Sequence, residues 1–477
     1  MELQVVVETT STTYIKPSSP TPPHLQTYNL SGMDQINPQI YGPVILFYPP
    51  PPQPDHRRSS LLKQSLSDTL SRYYPLAGKF RHDGLSIDCS DAAAGAYYAE
   101  ARIVDRNTSL SQFLAELNLA AINHLFPLSA VENNNILSPP PPGSPVILLQ
   151  VTWFPCGGAS IALLVAHNVL DASSIGCFLR AWGGAAAALI RNQPPVAGGG
   201  DGGSGIWDPK FGGDSIFPRN EMRSPSPAAV TAAEQRNSPA VTRRFVFNAT
   251  GLASLKEKLM EPMISRVQAV TAILCESILR AIAASRAPPS AVVVTQAVNL
   301  RRKGYPPLPS NSFGNYVINA VATIDPREIE DPSCCLVKLL MDSVAKRSGG
   351  GFVSKIQGRA GAALLAEAAA EEYRAGRRRI GFTSWSRLGL YDADFGWGEP
   401  AWLGLLPSDE ADDGGGGGGV VDLVMILDTK DGSGLEAWVL LEGNEMGMLE
   451  NDEKLLSFAC LDPRPQFTPD STVRSRL

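Results

Sequence analysis

The chain has 477 residues, 44% of them hydrophobic, and its 41 basic and 47 acidic side chains leave a formal charge of −6. That is roughly two to four domains' worth of material, with ample apolar residues for large cores. The charge is mild and not gathered into blocks, which argues against nucleic acid or an anionic membrane surface as a partner, and no run approaches the roughly 18 uninterrupted apolar residues of a membrane span.

The opening M-E-L-Q-V-V-V-E-T-T has an acidic residue and no basic, apolar leader, so it does not read as a secretory signal. Seven cysteines (89, 156, 177, 275, 334, 335 and 460) are scattered, with no C-x-x-C pair. This usage fits a reducing compartment, and no histidine–cysteine cluster has zinc-ligand spacing. The expectation is a soluble cytoplasmic monomer with no structural metal.

In chain order, Val5 to Ile15 is β-like and leads into a Pro-rich extended segment, residues 15–35. Pro43 to Tyr48 is a strand candidate ended by the proline run 49–52. Ser59 and Ser60 then cap a helix with Leu62, Leu66, Leu70 and Tyr73 at helical spacing, and Pro75 is the stop. Gly78 to Asp88 reads as a hairpin turning at Asp83-Gly84. A helix is expected over Leu110 to Ala121. Pro145 to Phe154 and Ala159 to Ala166 form a strand pair turning at Cys156-Gly157-Gly158. Residues 193–240, rich in Gly and Pro, read as a long crossover between two halves.

Beyond it come a strand at Arg243 to Phe247 and a helix at Asn248 to Met260. A second helix, 265–280, begins with Ser265 and Gln268 at capping-box spacing. Val292 to Val298 is a buried strand, and 311–317 a turn before another. Residues 331–346 and 360–375 are helical by composition. Residues 381–385, 421–428 and 435–441 are strands, and Gly414 to Gly419 is a flexible loop. Strands and helices mixed throughout predict an α/β or α+β protein with two mixed sheets.

The stretch Ala159 to Trp182 carries the most chemistry. An apolar run suited to a doubly buried strand ends at His167. Four residues on, Asp171, Ser173 and Ser174 open a helix with Ile175, Phe178, Leu179 and Trp182 on one face, and Asp171 or Ser173 is its N-cap. An imidazole at a strand end can act as a general base near neutrality; Asp171 would organise the loop or the ring. The plainer reading is a structural histidine and a helix-capping aspartate. With five histidines, a chance His-x-x-x-Asp is expected on the order of a quarter of the time.

Further stretches decide between these. A-H-N-V-L-D-A at 166–172 and D-F-G-W-G at 394–398 match, in order and some 220 residues apart, the two motifs of the plant BAHD acyltransferases. Residues 65–79, 311–315 and 427–438 are also similar, so the resemblance spans essentially the whole chain. The Pro-rich opening resembles the alkaloid-acetyltransferase branch. Departures are small: Ala172 where many members have glycine, and Glu399 where lysine is common.

The resemblance implies a chloramphenicol-acetyltransferase-like α/β fold of two similar-sized domains, each a mixed sheet flanked by helices. These are 1–192 and 241–477, joined by the 193–240 crossover, with about 378–400 contributed back to the first. It implies transfer of an acyl group, acetyl first, from acyl-CoA to a hydroxyl of a plant specialised metabolite, the donor and acceptor entering a channel from opposite faces and meeting at His167. A hydroxycinnamoyl or benzoyl donor, and an amine acceptor, are the alternatives; a non-catalytic relative is the other class, against which both motifs stand intact. A serine hydrolase is disfavoured because there is no G-x-S-x-G elbow. No permanently bound cofactor is implied, acyl-CoA being a co-substrate.

By the same resemblance Asp171 pairs with Arg301, a structural role that suits its place at a helix start. Asp394, Gly396, Trp397 and Gly398 form a tight turn with an apolar anchor, off the active site. Thr383 and Trp385 lie near the acceptor and the acyl oxygen, although a core tryptophan fits Trp385 nearly as well. For the polyanionic CoA, Ser265 at a helix N-terminus is the first candidate, then Asn311, Ser312 and Asn315. Arg377-Arg378-Arg379 reads as a solvated charge cluster before it reads as a phosphate site.

Overall fold

The computed structural model describes residues 5–53, 55–116, 119–192, 208–219, 239–284, 288–303, 307–328, 334–371, 378–407 and 422–465. In chain order its strands are Val7–Ile15 (β1), Thr27–Asn29 (β2), Tyr41–Tyr48 (β3), Lys79–Phe80 (β4), Ser86–Asp88 (β5), Ala96–Ile103 (β6), Ile147–Trp153 (β7) and Ala159–Ala166 (β8). They continue with Ala240–Phe247 (β9), Val292–Asn299 (β10), Val317–Ile324 (β11), Arg378–Ser384 (β12), Trp402–Gly404 (β13), Asp422–Asp428 (β14), Leu435–Glu442 (β15) and Cys460–Leu461 (β16).

Two mixed sheets divide the chain, as the motif reading expects. The first has the order β1-β6-β7-β8-β3-β13 and the second β11-β10-β12-β14-β15-β9-β16, while β2, β5 and β4 make a small third sheet. The β6–β7 pair is parallel in the first sheet, and β12 is parallel to both neighbours in the second. β8 lies in the middle of the first sheet and every one of its residues is buried; water contact on neither face is why its sequence is a continuous apolar run. The β7–β8 turn and the β4–β5 hairpin fall where the glycines predict, with Gly157 at φ 87° and Gly84 at φ 64°.

The helix Ala172–Arg191 covers one side of the first sheet. It is long and apolar enough to cross a bilayer by length and composition, yet 67% of that window is buried inside the protein. The helix Arg266–Ala283 forms the corresponding core of the second half with the faces of β9, β10, β12, β14 and β15. A third cluster joins Met33, Phe217, Val298, Leu300, Tyr316 and Leu365 where the N-terminal segment, the crossover and the second sheet meet.

Several boundaries differ from the sequence reading. The first helix starts at Arg58, with no side-chain cap; Ser59 bonds Glu100 instead and Ser60 bonds back to the Arg57 carbonyl. The Leu110 to Ala121 helix is only Leu110–Ala115, followed by a 3-10 turn at Leu119–Leu125. Most of the 193–240 crossover lies outside the described residues, but 208–219 is packed rather than linker-like: Phe211 meets Tyr28, Tyr74 and Phe313, and Phe217 meets Tyr316. The Gly414–Gly419 loop also lies outside the described residues.

The returned segment is shifted too. β12 pairs with β10 and β14 in the second sheet, so 378–384 is not contributed to the first half. What returns is the stretch from about Leu390, with Trp402–Gly404 pairing against β3 as the sheet's edge. A three-residue strand is too short to show a period.

Candidate functional site

His167 is the first residue beyond β8. Its backbone N–H reaches across to the Ile40 carbonyl at 2.8 Å, and a turn closed by Val169 and Leu170 N–H groups onto the Ala166 carbonyl carries the chain to Asp171. Val169 and Leu170 are fully packed, so the three residues between the two motif positions have little freedom. Asp171 then caps the Ala172–Arg191 helix, accepting from Ser174 N–H at 2.9 Å; of the two caps allowed by the sequence, Asp171 is the one used.

The same carboxylate meets Arg301, just after β10, in a two-pronged pair at 2.7 and 2.9 Å, with both side chains at most 3% exposed. Arg301 also donates to Ser174 Oγ and to the carbonyls of Ser312 and Gly314, and its guanidinium lies 4.8 Å from the Tyr316 ring. Tyr316 N–H completes the Asp171 shell at 3.0 Å. The carboxylate is thus consumed by the loop 312–316 and the arginine, tying the first half to the second, and no hydrogen bond joins it to the imidazole.

The His167 ring is half-buried. Burial pushes its pKa below the ordinary histidine value, while its own carbonyl, the Asp171 charge and the Asn315 amide oppose that shift. The ring is therefore neutral near pH 7, the state a proton acceptor needs.

Asn315 does not behave as an exposed CoA contact. It is buried; its side-chain NH2 donates to the His167 carbonyl at 2.8 Å and to Asp34 at 3.0 Å, and its backbone N–H donates to Asp34 at 2.7 Å. Ser312 is likewise turned inward, its hydroxyl on the Pro309 carbonyl and its own carbonyl on Arg301. Asn311 lies further out and donates to the Asp208 carbonyl of the crossover. Ser265 stands apart: it is exposed, makes the reciprocal capping box with Gln268, and is followed by Arg266, which holds the carbonyls of Gly432 and Ser433. Arg378, sequestered by Asp422 and Glu445, is not a solvated charge.

Thr383 and Trp385 sit at the end of β12, both half-buried, with Trp385 N–H on the Ile426 carbonyl at 2.7 Å. Trp385, Leu388 and Met425 pack against the core of the first half. The loop after Trp385 presses on the Ala172–Arg191 helix, where a Cβ at Gly176 would lie 2.5 Å from the Leu388 carbonyl oxygen. The Asp394 turn sits elsewhere on that helix. Its carboxylate accepts from Gly396 and Gly398 N–H groups at 2.7 and 2.9 Å and meets Arg191 at 3.2 Å, while Phe395 is edge-on to Trp182. Arg191 is twenty residues beyond Asp171, which is about 30 Å along a helix.

The residue that the sequence reading passed over is Asp34. Its signal was present in Ser31-Gly32-Met33-Asp34, the spacing of a capping box, and that box is formed.

The model of the Transferase family matches residues 5–456. The chain belongs to this family, the BAHD acyltransferases. This acyltransferase is 35% identical to an epi-neemfruitin B 7-O-acetyltransferase of Melia azedarach, covering 94% of this chain and 98% of that one. It is also 35% identical to a limonoid 7-O-acetyltransferase of Citrus sinensis, covering 94% and 97%. Among solved structures it superposes on vinorine synthase with a TM-score of 0.75 at 29% identity, over 97% of this chain and all of that one.

Proposed function

We propose that this acyltransferase moves an acetyl group from acetyl-CoA to a hydroxyl of a plant specialised metabolite, with His167 as the general base in a ternary complex. The observation that carries the reading is the state of His167: a half-buried imidazole kept neutral by its surroundings, beside an aspartate already committed to Arg301. Similar proteins include a limonoid 7-O-acetyltransferase of Citrus sinensis and a salutaridinol 7-O-acetyltransferase of Papaver somniferum, which supports a bulky polycyclic alcohol as the acceptor class.

In this mechanism the acceptor oxygen attacks the thioester carbonyl carbon as its proton passes to His167. The tetrahedral oxyanion collapses, the C–S bond breaks, and the leaving thiolate takes the proton from the imidazolium. Such a base contributes about 10²–10⁴-fold. The Thr383 hydroxyl and Trp385 indole, at the mouth of β12, are the donors we assign to the oxyanion side. For CoA, the helix N-terminus at the exposed Ser265, with Arg266 beside it, is the first candidate to face a phosphate; Asn311 is the outer residue of the second candidate group.

The test is purified enzyme with acetyl-CoA, hydroxycinnamoyl-CoA or benzoyl-CoA and a panel of polycyclic terpenoid and alkaloid alcohols, scored by thiol release and product mass. Acetyl ester formation that collapses in His167→Ala supports the reading. Turnover only with an aromatic donor would replace the acetyl assignment, and His167→Ala at near wild-type rate would remove the base.

A further inference from the structure

Asp34 is a fully buried carboxylate with no lysine or arginine pairing with it among the described residues. It sits on the four-residue turn Gly32–Gln35 and is solvated by four donors instead: Ser31 N–H and hydroxyl at 2.9 and 2.7 Å on one oxygen, Asn315 N–H and side-chain NH2 at 2.7 and 3.0 Å on the other. Burying a charge without an ionic partner costs free energy even where hydrogen bonds offset part of it. The free energy of burial acts on it as expected, raising its pKa to about 6 in spite of the four hydrogen bonds.

The link to the reaction runs through Asn315. Asp34 and the His167 carbonyl are both acceptors, so the Asn315 amide must turn its NH2 towards them, which leaves its Oδ1 on the remaining side. That oxygen and His167 Nδ1 are both buried without a hydrogen-bond partner among the described residues, one able to accept and the other able to carry a proton. The amide is near enough to the ring to favour the imidazolium. Asp171 cannot fill this role directly, because its two oxygens are held by Arg301, Ser174 and Tyr316.

We propose that Asp34, acting through Asn315, is the positioning residue of His167, a proposal that rests on the reading of His167 as the base. Asp34 fixes the amide, the amide fixes the His167 peptide and presents an acceptor to Nδ1, and Nε2 is left to take the proton of the acceptor. The titratable neighbours that share this pocket are Tyr28, Tyr316 and Asp214, with the Asp171–Arg301 pair beyond Tyr316.

The test compares wild type with Asp34→Asn, Asn315→Ala and the double variant, measuring kcat, the KM for acetyl-CoA, the pH profile of kcat and thermal stability. Each single variant is expected to lose about 10- to 100-fold in kcat with KM within about twofold, and the double variant no more than the worse single one, because the two act in series. In Asn315→Ala the acid limb of kcat moves to lower pH, since the amide that favours the imidazolium is gone; a purely structural residue would lower stability and leave the limb in place. Unchanged kcat in Asp34→Asn, or full activity or an unchanged limb in Asn315→Ala, overturns the proposal. If Asp34→Asn does not fold, Asn315→Ala is read alone by the same criteria. His167→Ala separates the two levels: active, it removes the base itself; inactive beside active Asp34 and Asn315 variants, it removes only the relay.

Discussion

Arg301 grips Asp171 across the seam between the two halves, with parallel N–H donors at 2.7 and 2.9 Å. The pair does two things at once. It ends β10 against the start of the Ala172–Arg191 helix, and it removes the motif aspartate from the imidazole's hydrogen-bond shell. His167, four residues upstream, is therefore oriented by backbone contacts and by Asn315 from the other half, so the site is complete only when the halves are docked.

Asp171→Asn should accordingly damage folding first. Removing one partner of a buried pair leaves the other charge unmatched and costs about 3–5 kcal/mol. Urea unfolding should show a lower midpoint and a poor soluble yield. A variant with the wild-type midpoint and no turnover would return Asp171 to the chemistry.

The local part of this site was readable from the residues. The apolar run of β8, its stop at His167 and the cap at Asp171 are nearest-neighbour effects, and a strand and helix of that length override their surroundings. What could not be read was non-local. Asp34 meets Asn315 across 281 positions, from a four-residue turn too short to show a helical period. Asn315 looked like an exposed loop residue because N-S-F-G-N has turn composition, yet tertiary packing buries it. Arg378 looked solvated because its partners, Asp422 and Glu445, lie on other elements.

Two groups with burial-shifted pKa values should bend the pH dependence of stability in opposite directions. For His167 the folded pKa is below the unfolded one, so below about 6.5 the unfolded chain binds more protons and stability falls as pH drops. Asp34 is raised to about 6, so its contribution is full below the unfolded value near 4 and is lost as pH rises through 6. Urea midpoints of wild type and Asp34→Asn from pH 4.5 to 7 isolate the second effect: the difference between them should shift in favour of the variant as pH rises. A constant difference would mean that Asp34 is not perturbed.

A second buried ion pair lies where the halves meet. Arg244 on β9 pairs with Glu436 on β15 at 2.9 Å, and its guanidinium lies 4.9 Å from the Trp402 ring of β13 and 5.6 Å from the Trp438 ring. Glu436 also accepts from the Trp438 and Trp402 indoles. Arg244→Ala should lower stability by about 3–5 kcal/mol, by the same unmatched-charge argument, and should split urea unfolding, followed by tryptophan emission, into two transitions as the halves uncouple. A single transition at the wild-type midpoint would show that Trp402 docks without the clamp.

The Asp394–Gly398 turn provides the control. Gly396 has φ 94°, and a Cβ there would meet Ile190 Cδ1 at 2.9 Å and Ala187 Cα at 3.0 Å. Gly396→Ala therefore combines left-handed strain with a clash against helix backbone, which together cost about 1–3 kcal/mol. Because the turn packs on the far end of the Ala172–Arg191 helix, the loss should appear in the melting temperature. The kcat and KM of the folded fraction should stay within about twofold of wild type, a change worth less than 0.5 kcal/mol at RT ≈ 0.59 kcal/mol. A variant that melts like wild type but turns over tenfold more slowly would move this turn from scaffold to active site.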